Sequence, residues 1–429
     1  MKRLATSFLL NWKIRENRKP LIIKGARQVG KTWLMKNFAK EQFDEYIYIN
    51  FERDTQLREL FQQDYDINRI LLALEIQSGK EIKKGKTLII LDEIQEAKGG
   101  LTALKYFQED EPELHVIAAG SLLGLTIHKD HSFPVGKVEF INLSPLNFEE
   151  FLLAKGENKL LGLLKEKQWN LIKTFKTKFI DLLKQYYFIG GMPEAVKDFV
   201  TNEDFKEVRR IQKNILDSYE LDFSKYASPA VVPKIKMIWN SVLPQLTKEN
   251  KKFIYGIIKS GARAKDYEDA LLWLENYGLI KRVFRVSKVN FPLQSYIDDK
   301  AFKLFIHDVG LLNAIGNVNE KILLEPSRLF TEFKGSITEQ FVLQELVSNE
   351  KTTYYWSENT SELDFLIEQD SAITGIEVKA EENLKAKSLK VFNTKYPDAN
   401  CLRLSLSDYR EEEWLTNIPL YTFSFNKPN

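Results

Sequence analysis

One short stretch constrains this chain more than any other. Residues 20–24, PLIIK, read as a buried strand, and the turn GARQVGKT, Gly25 to Thr32, follows at once and opens into a helical pattern near Lys31. The turn matches G-x-x-x-x-G-K-[ST] in full. In such a turn the backbone N–H groups of Gly25, Ala26, Arg27, Gln28, Val29 and Gly30 wrap a phosphate, Lys31 reaches the outer phosphates and Thr32 ligates magnesium. Glycine at 25 and 30 leaves room for that wrap. The following helix adds a favourable field at its N-terminus for the bound anion. The Arg27 side chain is either a further phosphate contact or a solvated loop residue.

The same chemistry asks for acids on a neighbouring strand. Residues 86–95, KTLIILDEIQ, run from a charged turn through apolar residues to Asp92 and Glu93. Asp92 is assigned to the magnesium ion and Glu93 to orienting or deprotonating water, with Lys31 as the third catalytic group. His115 to Ser121, HVIAAGS, reads as another strand, and Ser121 either senses the terminal phosphate or forms a turn. Tyr46–Asn50 and Val138–Leu143 supply two more strands, which predicts a five-stranded core with ATP and Mg2+ at its C-terminal edge.

Taken together, GARQVGKTWL, TLIILDEIQ, VIAAGSLLG and SPLNFEEFL resemble the AAA-type ATPases that carry a C-terminal domain of unknown function, a prokaryotic group related to the archaeal ATPases. The resemblance continues through YYFIGGMPEAV and KLFIHDVGLLNAI. It implies Walker A and Walker B roles for Lys31, Thr32, Asp92 and Glu93, and a sensor position for Ser121. Related members carry arginine where this chain has Lys137 after Gly136. Lysine lacks the bidentate guanidinium fork, so the resemblance does not carry an arginine finger to that position, nor a ring assembly.

At 429 residues the chain suggests roughly three domains. Its 62 basic and 60 acidic residues leave a formal charge of +2, so the total predicts no long-range steering to nucleic acid or to an anionic membrane. Cys401 stands alone, which rules out an intrachain disulfide and fits a reducing, cytoplasmic compartment. The N-terminus reads as a helix followed by Lys13, Arg15, Arg18 and Lys19, not as a signal peptide. No apolar run approaches the roughly 20 residues that span a bilayer.

From Asn147 to Asp222 helical periodicity predicts a lid or connector, broken at Ile189-Gly-Gly-Met-Pro, where Pro193 suits a first helical turn. The aromatic run Tyr186-Tyr187-Phe188 is expected to be buried. Residues 235–287 give helix, turn, helix and a short basic strand, an order that resembles a winged helix. Arg263, Lys265, Lys281, Arg282 and Arg285 are its candidate DNA phosphate contacts, while Asp266, Glu268, Asp269 and Glu275 oppose that use and leave a structural role open. His307-Asp308 reads as a packed connector, because the chain has four histidines and no clustered ligands for zinc.

A second constellation lies near the C-terminus. Glu339 falls in a helical segment, Asp364 in SELDFLI and Glu377 with Lys379 in GIEVKA, both strand-like. The two-residue period puts Glu377 and Lys379 on one face, with Asp364 on the adjacent strand. Such acids can hold a second Mg2+ or Mn2+ at a scissile phosphate while the lysine steadies developing charge. The set resembles the PD-(D/E)xK restriction-endonuclease-like fold, with Leu363 where proline is usual. An inactive relic used for protein binding is the alternative.

The expected fold class is therefore α/β and multidomain. It comprises a P-loop core over residues 1–145, a helical lid or connector over 146–234, a winged-helix domain over 235–290 and an endonuclease-like domain over 291–429. Two function classes follow. One is an ATP-dependent enzyme acting on DNA, the other a nucleotide-switched protein-interaction module.

Overall fold

The computed structural model describes residues 1–120, 136–248, 251–324, 331–382 and 385–425. The chain divides into two compact units: Lys2–Ser144 with Asn276–Gly278 form one, and the rest of the chain forms the other.

In the first unit, strands β1 (Leu21–Lys24), β2 (Glu45–Asn50), β3 (Thr87–Asp92), β4 (His115–Ala119) and β5 (Glu139–Asn142) make a five-stranded sheet in the order β2-β3-β4-β1-β5. Every pairing is parallel. The expected five strands are thus all present. Strands β3 and β4 are buried along their whole length, as central parallel strands covered on both faces must be, and so read as unbroken apolar runs. At the edge, β2 alternates: Ile47 and Ile49 enter the core while Tyr46, Tyr48 and Asn50 take the other face. Its longer helices are α1 (Ala5–Ile14), α2 (Lys31–Gln42), α3 (Ile67–Ser78) and α4 (Gly100–Asp110). Helix α1 buries Leu9 and Trp12. Asp66 caps α3 by accepting from the Asn68 and Arg69 N–H groups, satisfying donors that the helix leaves unpaired. Register matches Asn50 with Asp92, Asp92 with Ala119 and Lys24 with Asn142, so the C-terminal strand ends line one edge.

The second unit opens with helices: α5 (Phe148–Ala154), α6 (Lys176–Ile189), α7 (Pro193–Asn202), α8 (Phe205–Tyr226), α9 (Val232–Leu246) and α10 (Glu268–Asn276). Asn147 and Glu150 close α5 with a capping box, and Pro193 opens α7. Strands β6 (Ile280–Val286) and β7 (Ile297–Ile306), helices α11 (Val309–Ile315) and α12 (Thr331–Ser348), and strands β8 (Thr353–Glu358), β9 (Ser361–Gln369) and β10 (Ala372–Val378) follow. Helix α13 (Lys387–Lys395) and strands β11 (Asn400–Ser405), β12 (Arg410–Glu411) and β13 (Thr416–Pro419) complete it. Its eight-stranded sheet runs β12-β13-β11-β10-β9-β8-β6-β7.

Two features differ from the expected domain scheme. The basic strand expected as a wing is β6, which pairs antiparallel with β7 and parallel with β8, so one sheet crosses the expected boundary between residues 290 and 291. The helices expected as a lid share a core with α12 of this same unit. Phe148, Tyr186 and Tyr187 all pack their rings within 6.1 Å of the Phe341 ring. Tyr186, Tyr187 and Phe188 are indeed buried.

Candidate functional site

The phosphate turn joins β1 to α2 at the edge where the parallel strands end. Gly25 has φ +148°, and a side chain there would collide with the Leu143 carbonyl oxygen; Gly30 turns the chain into α2 with φ +93°. Glycine alone tolerates both demands. Lys31 is buried and its Nζ donates to the Gly25 and Ala26 carbonyls, both at 2.8 Å, which holds the ammonium inside the loop. Burial lowers the Lys31 pKa to about 8, against the opposing pull of Glu93 and Asp92. Thr32 Oγ1 donates to Asp92 Oδ2 at 2.7 Å, although the two lie 60 positions apart in the chain. Burial raises the Asp92 pKa, and the hydrogen bonds from Thr32 and Tyr48 work against that rise. Glu93 stands next to it in a left-handed conformation, φ +51°, with one carboxylate oxygen accepting from Gln95 Nε2 at 2.6 Å.

Four residues that the motifs did not reveal complete this site. Tyr48 donates its hydroxyl to the same Asp92 oxygen at 2.9 Å, Asn50 Nδ2 donates to that hydroxyl at 3.2 Å, and Gln95 grips Glu93. The alternation of β2 was the available hint, since it places Tyr48 and Asn50 on one face beside β3. Arg3 is the fourth. Its buried guanidinium donates to Val29 O at 2.9 Å and to Ser144 O at 2.6 Å, bracing the turn from positions that only the fold brings near. Ser121 lies outside the described residues. Lys137 pairs with Glu109 at 2.9 Å.

The expected DNA contacts separate into two groups. Arg263 and Lys265 are exposed. Arg282 is not: its guanidinium binds Glu268 and Glu275 at 2.9 Å each, and its side chain is only 9% accessible. Arg285 is held by Asp298. Glu268 and Glu275, noted in the sequence, pair with Arg282, and Asp298, which was not noted, pairs with Arg285, so both candidate phosphate contacts are engaged within the unit. Lys281 is partly exposed. His307 and Asp308 are structural. Burial holds the histidine pKa down to about 4, its Nδ1 faces the Leu279 carbonyl, and Asp308 accepts from the Gly191 and Leu311 N–H groups.

Of the terminal acids, Glu339 and Asp364 come together around a cation that the sequence reading missed. Asp364 on β9 accepts from the Val378 N–H at 2.8 Å, and Lys379 pairs with Glu377 at 2.8 Å. Glu339 on α12 pairs with Lys251. Between them sits Lys303 of β7, with 0% side-chain exposure and its Nζ 2.6 Å from Glu362, 3.7 Å from Asp364 and 4.0 Å from Glu339. Burial by itself would lower the Lys303 pKa, but Glu362, Glu339 and Asp364 outweigh it and raise the value. Glu339 and Glu377 are both raised, first by burial, with the Asp364 charge adding to each. A lone lysine inside the apolar run Ala301-Phe302 and Leu304-Phe305-Ile306 was the visible clue. Among the described residues no group of three histidine, cysteine or carboxylate side chains is placed to hold a metal ion. The ammonium of Lys303 stands where such an ion would meet Glu339 and Asp364, so this cluster does not fit one.

Comparison with known proteins gives the class of the first unit. Residues 17–152 match the AAA domain family, and residues 180–322 and 334–423 match two domains of unknown function, DUF8612 and DUF4143. Residues 17–152 therefore form an AAA-type P-loop domain, the class that binds and hydrolyses ATP. No curated protein matches the chain. Among solved structures it is similar to the Walker-type ATPase PABY2304 of Pyrococcus abyssi, at 15% identity and TM-score 0.45, covering 73% of this chain and 95% of that one. It is also similar to the ORC1 protein of Aeropyrum pernix in complex with DNA, at 11% identity, TM-score 0.30 and coverage of 73% and 90%. Cdc6p from Pyrobaculum aerophilum is a third, at 13% identity, TM-score 0.25 and coverage of 72% and 91%. Among the described residues no helix is long and apolar enough to cross a membrane.

Proposed function

We propose that this chain is a magnesium-dependent ATPase working through the turn at Gly25–Thr32. The observation that carries the reading is the 2.7 Å hydrogen bond between Thr32 Oγ1 and Asp92 Oδ2. It brings the two expected magnesium-holding groups to one point beside the Lys31 ammonium. Bound Mg-ATP supplies the phosphoanhydride and the metal that neutralises its charge. The protein's share is positioning: the loop N–H groups and Lys31 draw the outer phosphates in, Thr32 and Asp92 fix the metal, and Glu93 orients the attacking water and accepts its proton. Gln95 holds the Glu93 carboxylate in place for that step. Phosphate release against Mg2+ concentration tests this. Thr32→Ala should raise the Mg2+ needed for half-maximal rate about tenfold or more, and an unchanged Mg2+ curve would contradict the assignment.

For the rest of the chain we favour the nucleotide-switched protein-interaction module over an enzyme acting on DNA. Arg282 and Arg285 supply the reason, because their charges are spent on Glu268, Glu275 and Asp298. Exposed Arg263 and Lys265 remain as the DNA alternative, and they decide its test. ATP turnover should be indifferent to added duplex or single-stranded DNA at low salt, where phosphate contacts are strongest. Stimulation by DNA that disappears in an Arg263→Ala, Lys265→Ala double variant would reverse the preference.

A further inference from the structure

We infer that Lys303 is a resident counter-ion that closes the terminal acidic cluster to divalent metals, so that the cluster takes up Mg2+ or Mn2+ only when that ammonium is removed. The inference deepens the interaction-module reading of this unit and stands apart from ATP turnover. Its basis is geometric. Lys303 has 0% side-chain exposure, lies on β7 under the Tyr355 ring at 5.0 Å, and so cannot swing aside into solvent as a surface lysine does. Its Nζ faces Glu362, Asp364 and Glu339 together, from 2.6 to 4.0 Å.

Charge balance points the same way. Lys251 and Lys303 stand against Glu339, Glu362 and Asp364, which leaves a single formal negative charge. A divalent ion added to that set would make it net positive and would sit next to a buried ammonium. Without Lys303 the balance is two negative charges, which a divalent ion cancels. The buried Glu339 Oε2 has no hydrogen-bond partner and lies 4.0 Å from Lys303 Nζ, so it has lone pairs to offer once the ammonium is gone. Hard carboxylate oxygens suit Mg2+ and Mn2+.

The test is Mn2+ titration of the nucleotide-free full chain, followed by electron paramagnetic resonance. Wild type, Asp364→Asn, Lys303→Gln and the Lys303→Gln, Asp364→Asn double variant are compared; all keep the P-loop, so any binding there cancels. Wild type and Asp364→Asn should match. Lys303→Gln should gain one Mn2+ at least about tenfold tighter than wild type, and Asp364→Asn in that background should abolish the gain. Mn2+ bound by wild type and lost in Asp364→Asn overturns the inference, as does a folded Lys303→Gln that gains none. Where Lys303→Gln fails to fold alone, Mn2+ should restore its circular dichroism; failure to do so counts against the proposal. Lys303→Arg keeps the charge and must behave as wild type.

Discussion

At the scale of single residues, the nucleotide site turns on the charge state of Lys31. Its pKa of about 8 reflects burial in the loop, which penalises the ammonium. A lowered lysine loses its proton as pH rises through that value, and only the protonated form attracts the ATP phosphates. Affinity should therefore be nearly flat at lower pH and should weaken from about pH 8 upward, by up to about tenfold per pH unit. Calorimetry between about pH 7.5 and about pH 9.5 checks this, and binding should take up protons near pH 8. A constant affinity over that range would show that Lys31 stays charged and that the burial argument is wrong. Lys31 was legible in the sequence because its chemistry is written in contiguous residues. Lys303 and Arg3 were not, because their meaning lies in partners up to 61 and 141 positions away.

At the scale of elements, helix α12 shows what periodicity leaves out. It buries Ser336, Thr338, Glu339, Gln340, Gln344 and Glu345 together with Ile337 and Phe341, so no single apolar stripe announces its orientation. Its polar groups instead satisfy the backbone of neighbouring elements: Gln340 exchanges two hydrogen bonds with Ile306, and Gln344 Oε1 accepts from the Val309 N–H. Strands β3 and β4 of the N-terminal sheet were legible because burial on both faces writes itself as an unbroken apolar run. The allegiance of β6 to the terminal sheet was not, since its pairing with β8 spans about 70 residues of chain. Glu345 on α12 provides a test of this packing. It accepts from the Phe148 N–H at 2.8 Å and from Ser424, and burial raises its pKa to about 7. A carboxyl raised in the folded state holds a proton that the unfolded chain releases, so its stabilising effect is full below about pH 4.5 and is lost as pH rises towards about 7. The ionised form then costs on the order of 3 kcal/mol. Glu345→Gln removes the charge while its Oε1 still accepts from the Phe148 N–H and its Nε2 donates to Ser424 Oγ in place of the bond it replaces. It should remove that slope and raise Tm at about pH 8 by several degrees. A lower Tm than wild type at that pH would mean that the carboxylate itself is stabilising.

At the scale of the whole molecule, the near-cancelled charge of +2 conceals how the charges are arranged. One unit gathers Lys31, Asp92 and Glu93 at the turn over Gly25–Thr32. The other spends its charges internally, on the ion pairs of Arg282, Arg285 and Lys303. On the proposed reading the AAA-type domain supplies the nucleotide switch, and everything then depends on turnover at the first site. The deciding measurement is ATP binding by calorimetry together with phosphate release by the full chain as wild type, Lys31→Ala and Glu93→Gln. The account predicts that Lys31→Ala loses affinity, by about a hundredfold or more for a phosphate-facing charge stripped from a buried loop. Glu93→Gln should bind ATP within a few-fold of wild type while turnover falls by about a hundredfold or more. Undiminished phosphate release in both purified variants would place ATP hydrolysis elsewhere and contradict the central claim.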